Sequence, residues 1–246
     1  MEPMTSRVML LGLPIDPVTE DQAIELLYDF LEGEGQHHVM TPNNEMLVEA
    51  TRNPPFAGVI RAASLNLPDS SGLLWAAKWT GQSIPERVTG VDTVECLCGE
   101  LDAATPVFLL GAAPGVADKA AAVLREDNPQ LVVCGTHAGS PSDADAEAII
   151  EKIRASQAKL LLVAFGAPAQ DLWIAKHLSR LPSVRVAMGV GGTFDFLAGV
   201  QKRAPAWMRS LHLEWFWRLL RQPSRIGRIL NAVVVFPLLV LRRGRG

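Results

Sequence analysis

Residues 106–126 read PVFLLGAAPGVADKAAAVLRE: an unbroken apolar run, a turn with glycine at 111 and 115, and an alanine-rich segment at helical spacing. A short apolar run that passes through a Gly-rich turn into a 3.6-residue period reads as a strand covered on both faces, followed by its covering helix. Residues 159–181 (KLLLVAFGAPAQDLWIAKHLSRL) and 184–199 (VRVAMGVGGTFDFLAG) repeat the plan. So do 37–52 (HHVMTPNNEMLVEATR), 63–81 (ASLNLPDSSGLLWAAKWTG), and LVVCGTHAG with SPSDADAEAIIEKIRAS over 131–156. At the N-terminus VMLLGLPI (8–15) reads as a strand, followed by a helix in which Thr19 and Gln22 have capping-box spacing. Strands alternating with helices predict an α/β fold: a Rossmann-like, doubly wound, mainly parallel sheet. Its expected span is residues 1–199.

After Gly199 the pattern changes to helical periodicity without strands, so 200–246 reads as a helical appendage. The formal net charge of −3 divides at the same place. From residue 200 onward ten lysines and arginines face Glu214 alone, giving +9 and leaving −12 on residues 1–199. A basic, apolar ending on an acidic body points to a polyanionic partner. The run ILNAVVVFPLLVL (229–241) is too short to span a bilayer and fits a helix lying on an anionic membrane surface. Its arginines accompany aliphatic residues rather than base-stacking aromatics, which argues against nucleic acid. The three cysteines (96, 98 and 134) have neither disulfide-framework nor zinc spacing and read as buried thiols of a reducing compartment. The N-terminal apolar stretch, interrupted by Pro14, does not read as a signal peptide, so the expected location is cytoplasmic, peripheral to the inner membrane face.

In open α/β sheets ligands bind beyond the carboxyl ends of the strands. TPNN, PDSSG, GAAPG, GAPAQD and GVGGTFD are therefore the candidate site loops. Gly111 of GAAPG either lets the backbone approach a phosphate or serves a tight turn. Asp69 suits a general base, Asp69 or Ser70 equally a helix cap. Thr41, Asn43 and Asn44 are sugar-binding or turn residues. Asp143 and Asp145 form a DxD string, but acids at a helix start explain it better than a metal site.

In order, TPNNEM, LPDSSGLLWAAKWTGQSIPERVTGVD, VFLLGAAPGVADKAA, AFGAPAQDLWI, GVGGTFDFLAG, KRAPAWM and LEWFWRLLRQPSR resemble the WecG/TagA/CpsF glycosyltransferases over about residues 8–230. The resemblance implies inverting, metal-independent transfer of N-acetylmannosamine or a related hexose or uronic acid from a UDP-sugar. The implied acceptor is a saccharide on undecaprenyl diphosphate, in teichoic acid, common-antigen or exopolysaccharide synthesis. It implies Asp69 as base, with Thr41, Asn43 and Arg87 in the catalytic cleft. For the donor diphosphate it implies Gln170, Arg218, Arg225 and Arg228, with Gly111, Gly191 and Asp195 in the donor loops. No cofactor or metal is expected; an oligomer is allowed. Two departures stand out: Ser70 where the family has glycine after Pro-Asp, and Ala169 where it favours lysine. They leave open an alternative, a nucleotide-sugar-binding protein with impaired catalysis.

Overall fold

The computed structural model describes residues 6–202, 204–205, 208, 216–217 and 226–243. Six parallel strands form the main sheet in the order β4-β3-β8-β7-β5-β6. They are β3 (His37–Met40), β4 (Leu65–Asn66), β5 (Val107–Gly111), β6 (Val133–His137), β7 (Leu160–Ala164) and β8 (Val186–Gly189). The helices are α1 (Glu20–Glu32), α2 (Asn44–Ala50), α3 (Pro54–Ala62), α4 (Ser71–Trp79), α5 (Gly90–Glu100), α6 (Val116–Asp127), α7 (Asp143–Ser156), α8 (Ala169–His177) and α9 (Thr193–Leu197).

Both faces of the sheet are covered, as continuous apolar strands require. Side chains alternate between the two cores with the strand period of two. Leu109, Leu162 and Met188 enter one core with α1, α5, α6 and α9. Phe108, Leu110, Leu161, Val163 and Ala187 enter the opposite one with α7 and α8. The α1 capping box forms as the sequence predicts, Thr19 and Gln22 each bonding the other's backbone. Of the three thiols expected to be buried only Cys98 is, Cys96 and Cys134 being half-buried. Desolvation raises the thiol pKa of each, that of Cys98 to about 12, which makes them poor nucleophiles.

Three features differ from the sequence reading. VMLLGLPI is not one strand of the sheet: β1 (Val8–Leu10) and β2 (Leu13–Ile15) form a separate antiparallel hairpin. Leu11 and Gly12 both take positive φ, the backbone of a tight two-residue hairpin turn. Next, α3 and α5 occupy segments to which periodicity assigned no element. Third, the apolar ending does not turn all its side chains outward.

Residues 226–243 form one helical rod, Ile226–Leu230 and Phe236–Arg243 joined through a π-helical stretch Asn231–Val235. Phe236 and Val240 are fully buried in a third core with the hairpin, α2, α3 and α4. That packing occupies one face of the rod, and its other face carries Leu230, Val234, Leu238 and Leu241 to the surface. Among the described residues no helix is long and apolar enough to cross a membrane.

Truncating Phe236 leaves a cavity where the rod meets the body, so Phe236→Ala should cost about 3–5 kcal/mol. Chemical denaturation with parent and variant side by side measures it; a loss below about 1 kcal/mol would mean the rod contributes little to the core.

Candidate active site

A cleft of about 300 Å³ opens over the carboxyl ends of β4, β3, β8 and β7. Its walls include Thr41, Asn43, Asn44, Asp69, Ser70, Arg87, Gln170, Gly191 and Arg228. Five helices begin at it: α2 after Asn43, α4 after Ser70, α5 after Thr89, α8 beside Gly166 and Ala167, and α9 after Gly192. Each presents backbone N–H groups and the positive end of its dipole, together an environment for an anion.

Backbone bonds stitch three polar loops together. The Asp69 N–H donates to the Pro42 carbonyl at 3.0 Å, and the Val88 N–H to the Pro68 carbonyl at 3.1 Å. Asp69 is thereby held between the TPNN and ERVTG loops, half-buried at the cleft wall. Thr41 is buried and its hydroxyl donates to the Gly189 carbonyl at 3.1 Å, tying β3 to β8. Asn43 caps α2, its Oδ1 accepting from the Met46 N–H at 3.1 Å. At Asn43 the cap and cleft readings therefore coexist, whereas Ser70, at the start of α4, makes no side-chain capping bond.

Gln170 is buried, and its Oε1 accepts from the N–H groups of Gly166 and Gly191, each at 3.0 Å. One side chain thus locks the loop after β7 to the loop after β8. Behind it, Asp171 is fully buried, with Oδ1 3.5 Å from His38 Nε2. Burial pushes its carboxyl above the ordinary carboxylate range, against the lowering effect of His38. A Cβ at residue 189 would overlap both Gln170 and Asp171, so Gly189 makes room for this buried layer.

Ser70 departs from the family pattern without straining the turn, because its backbone is extended (φ −156°) and has no need of glycine. Its hydroxyl donates to Asn44 Oδ1 at 2.7 Å, and Asn44 Nδ2 donates to the Ala232 carbonyl at 3.0 Å. The Asp69 loop is thereby linked through Asn44 to the C-terminal rod. Gly72 leaves the space that the Asn44 amide occupies. An ion pair between Arg228 and Glu45 adds a second fastening and holds Arg228 at the cleft.

Asp69, Arg87, Thr41, Asn43, Gln170, Gly191 and Arg228 are thus brought together. Asp195 stands behind the wall, its carboxylate accepting from Gln201 Nε2 at 3.3 Å beside cleft residues Gly192 and Phe196. Gly111 is absent from the cleft lining. It has φ +105°, and a Cβ there would press on the Ala164 backbone of β7, so this glycine serves strand packing. Arg218 and Arg225 lie outside the described residues. Asp143 pairs with Lys176, and Asp145 accepts from Ser140, at the start of α7. Among the described residues no group of three or more His, Cys, Asp or Glu could hold a metal ion. Sequence reasoning did not single out Gly189, Thr89, Gln201 or Ala232; the last is 188 positions from its partner Asn44.

Residues 8–246 match the family model described as Glycosyl transferase WecG/TagA/CpsF family. The chain is 34% identical over 194 residues to an N-acetylglucosaminyldiphosphoundecaprenol N-acetyl-beta-D-mannosaminyltransferase of Bacillus spizizenii strain W23, covering 78% of this chain and 74% of the relative. It is 31% identical over 235 residues to a protein of the same name from Staphylococcus aureus strain MW2, covering 94% and 91% respectively.

Two outcomes are expected. Asn44→Ala breaks the link from Ser70 to Ala232, and should raise amide exchange at residues 226–235 by roughly tenfold; unchanged exchange would show that apolar packing alone seats the rod. For Asp171 the folded chain binds the proton more tightly than the unfolded chain. The stability it contributes is complete below about pH 4 and is lost as pH rises through the raised pKa. Asp171→Asn should therefore lose less thermal stability than the parent between pH 4 and pH 7, a difference that melting curves across that range record.

Proposed function

The chain belongs to the WecG/TagA/CpsF glycosyltransferase family, and on that premise we propose that it transfers a sugar from a UDP-sugar to a saccharide carried on a polyprenyl diphosphate. The observation that carries the reading is the convergence of Asp69, Arg87, Gln170 and Arg228 on one cleft where five helices begin. The acceptor follows the relatives' names, which specify undecaprenol-linked N-acetylglucosamine as acceptor and N-acetylmannosamine as the sugar moved. We assign this chain to the same class, an N-acetylhexosamine or related hexose, in synthesis of a cell-surface polysaccharide.

In the proposed reaction the Asp69 carboxylate takes the proton from an acceptor hydroxyl while that oxygen attacks the anomeric carbon. The bond from the anomeric carbon to the diphosphate oxygen breaks, the electron pair leaves with UDP, and configuration inverts. Developing charge on the diphosphate is met by Arg87, Arg228 and the backbone N–H groups of the cleft, an arrangement that suits phosphate oxygens. Arg218 and Arg225 would join them by the family pattern. No step is assigned to a metal ion. Thr41 and Asn43 fix the floor of the cleft, and Gln170 holds together the two loops that face the donor.

Asp69→Asn keeps the shape and removes the base. It should lower transfer to an undecaprenyl-type acceptor by about 10²–10⁴-fold, with UDP-sugar affinity retained by calorimetry and parent turnover unaltered by EDTA. Parent-like turnover in the variant would remove Asp69 from the role of base. UDP-sugar binding by the parent, with no transfer to any lipid-linked acceptor, would instead make the chain a binding protein.

A further inference from the structure

The exposed face of α4 carries two large aromatic side chains that the cleft does not use. Trp75 is 41% and Trp79 59% exposed, and their rings stack with centroids 6.0 Å apart. They stand one helical turn apart, with exposed Lys78 beside them. The second half of the C-terminal rod packs against α4, and its outward side chains Leu238 and Leu241 are each 49% exposed. The same helix also packs against β1, which turns Met9 outward.

We propose that α4 and the C-terminal rod together form a docking surface for an anionic lipid bilayer, with the Trp75–Trp79 pair as its aromatic anchor. Three observations select this occupant. Indole rings favour the boundary between headgroups and acyl chains, and an exposed stacked pair beside leucines is the composition of a helix face that lies in that boundary. Charge is the second. Neither Ser71–Trp79 nor 226–243 contains an acid, whereas Lys78, Arg242 and Arg243 are exposed, on a body that is otherwise strongly acidic. Lysines and arginines flanking an apolar face are drawn to anionic headgroups.

Position is the third observation. Ser71 and Gly72 at the start of α4 line the cleft, as do Arg228, Ala232 and Val233 of the rod. Both helices therefore run from the cleft out to the proposed surface. A prenyl chain could stay in the bilayer while its sugar reached Asp69; for that purpose the assignment rests on the lipid-linked acceptor proposed above. It also revises the role expected for the tail. Phe236 and Val240 are committed to the core, so the rod offers lipid only one face and α4 supplies the rest.

The test uses the full chain, without substrate, floated with phosphatidylcholine vesicles and with phosphatidylcholine–phosphatidylglycerol vesicles. The parent should float with the anionic vesicles, and its tryptophan fluorescence should be quenched by lipids brominated on the acyl chain. Trp75→Gln/Trp79→Gln should weaken that partitioning roughly tenfold or more and remove most of the quenching. Both substitutions are on exposed positions, so the melting temperature and UDP-sugar affinity should match the parent. Arg242→Glu/Arg243→Glu should reduce the preference for anionic vesicles and its salt sensitivity. Parent-like flotation of the tryptophan variant would overturn the proposal, as would a parent that floats with neither vesicle. Loss of a parent dimer in the tryptophan variant by lipid-free ultracentrifugation, with flotation unchanged, would assign the surface to a second copy of the chain instead. Transfer to a detergent-dispersed acceptor is read separately, so failure at the membrane and failure of the proposed activity are distinguishable.

Discussion

The pairing of β3 with β8 holds this molecule together at its centre. His37, His38 and Val39 lie in register with Val186, Ala187 and Met188, joining segments nearly 150 residues apart. One flank of the sheet is built from β4 and β3, the other from β8, β7, β5 and β6, and this ladder is the seam between them. Since the strands are parallel, their carboxyl ends emerge on one side, and the loops after β4, β3, β8 and β7 meet there. The Thr41 hydroxyl reinforces the seam where it enters the cleft. A slip of one residue would turn every side chain on the strand to the opposite core, so both apolar cores fix this register.

Within the cleft much of the polar chemistry is spent on holding loops rather than waiting for ligand. Gln170 binds two backbone N–H groups, Asn43 caps a helix, and Asn44 bridges the Ser70 loop and the rod. Such a frame fixes backbone donors and arginines in place before a diphosphate arrives, which is how an electrostatic site avoids reorganisation cost. Asp171 shows the cost of this frame: a carboxyl buried beside His38 is held above its ordinary pKa.

The C-terminal rod joins stability to the site. Its buried face closes the core of the hairpin, α2, α3 and α4, while Arg228 and Ala232 line the cleft. A segment that looks separate by charge and composition is, in residues 226–243, part of the folded body.

The α/β class, most of the strand–helix pairs, the α1 capping box and the loops bearing Asp69, Thr41 and Gln170 were determined by the sequence itself. These depend on local periodicity, turn chemistry and motif order, which neighbouring residues express among themselves. The same locality let VMLLGLPI pass for one strand, because an apolar run does not report a chain reversal at Leu11 and Gly12. It could not separate a phosphate-binding glycine from a packing one, because Gly111 is decided by the Ala164 backbone more than 50 residues away. Nor could it divide the apolar ending between Phe236 and Val240 inside and Leu238 and Leu241 outside, or pack the end of that rod against α4, the helix that carries Trp75 and Trp79. Those outcomes belong to the tertiary structure, because burial and hydrogen bonding depend on which distant segments the folded sheet and its covering helices bring into contact.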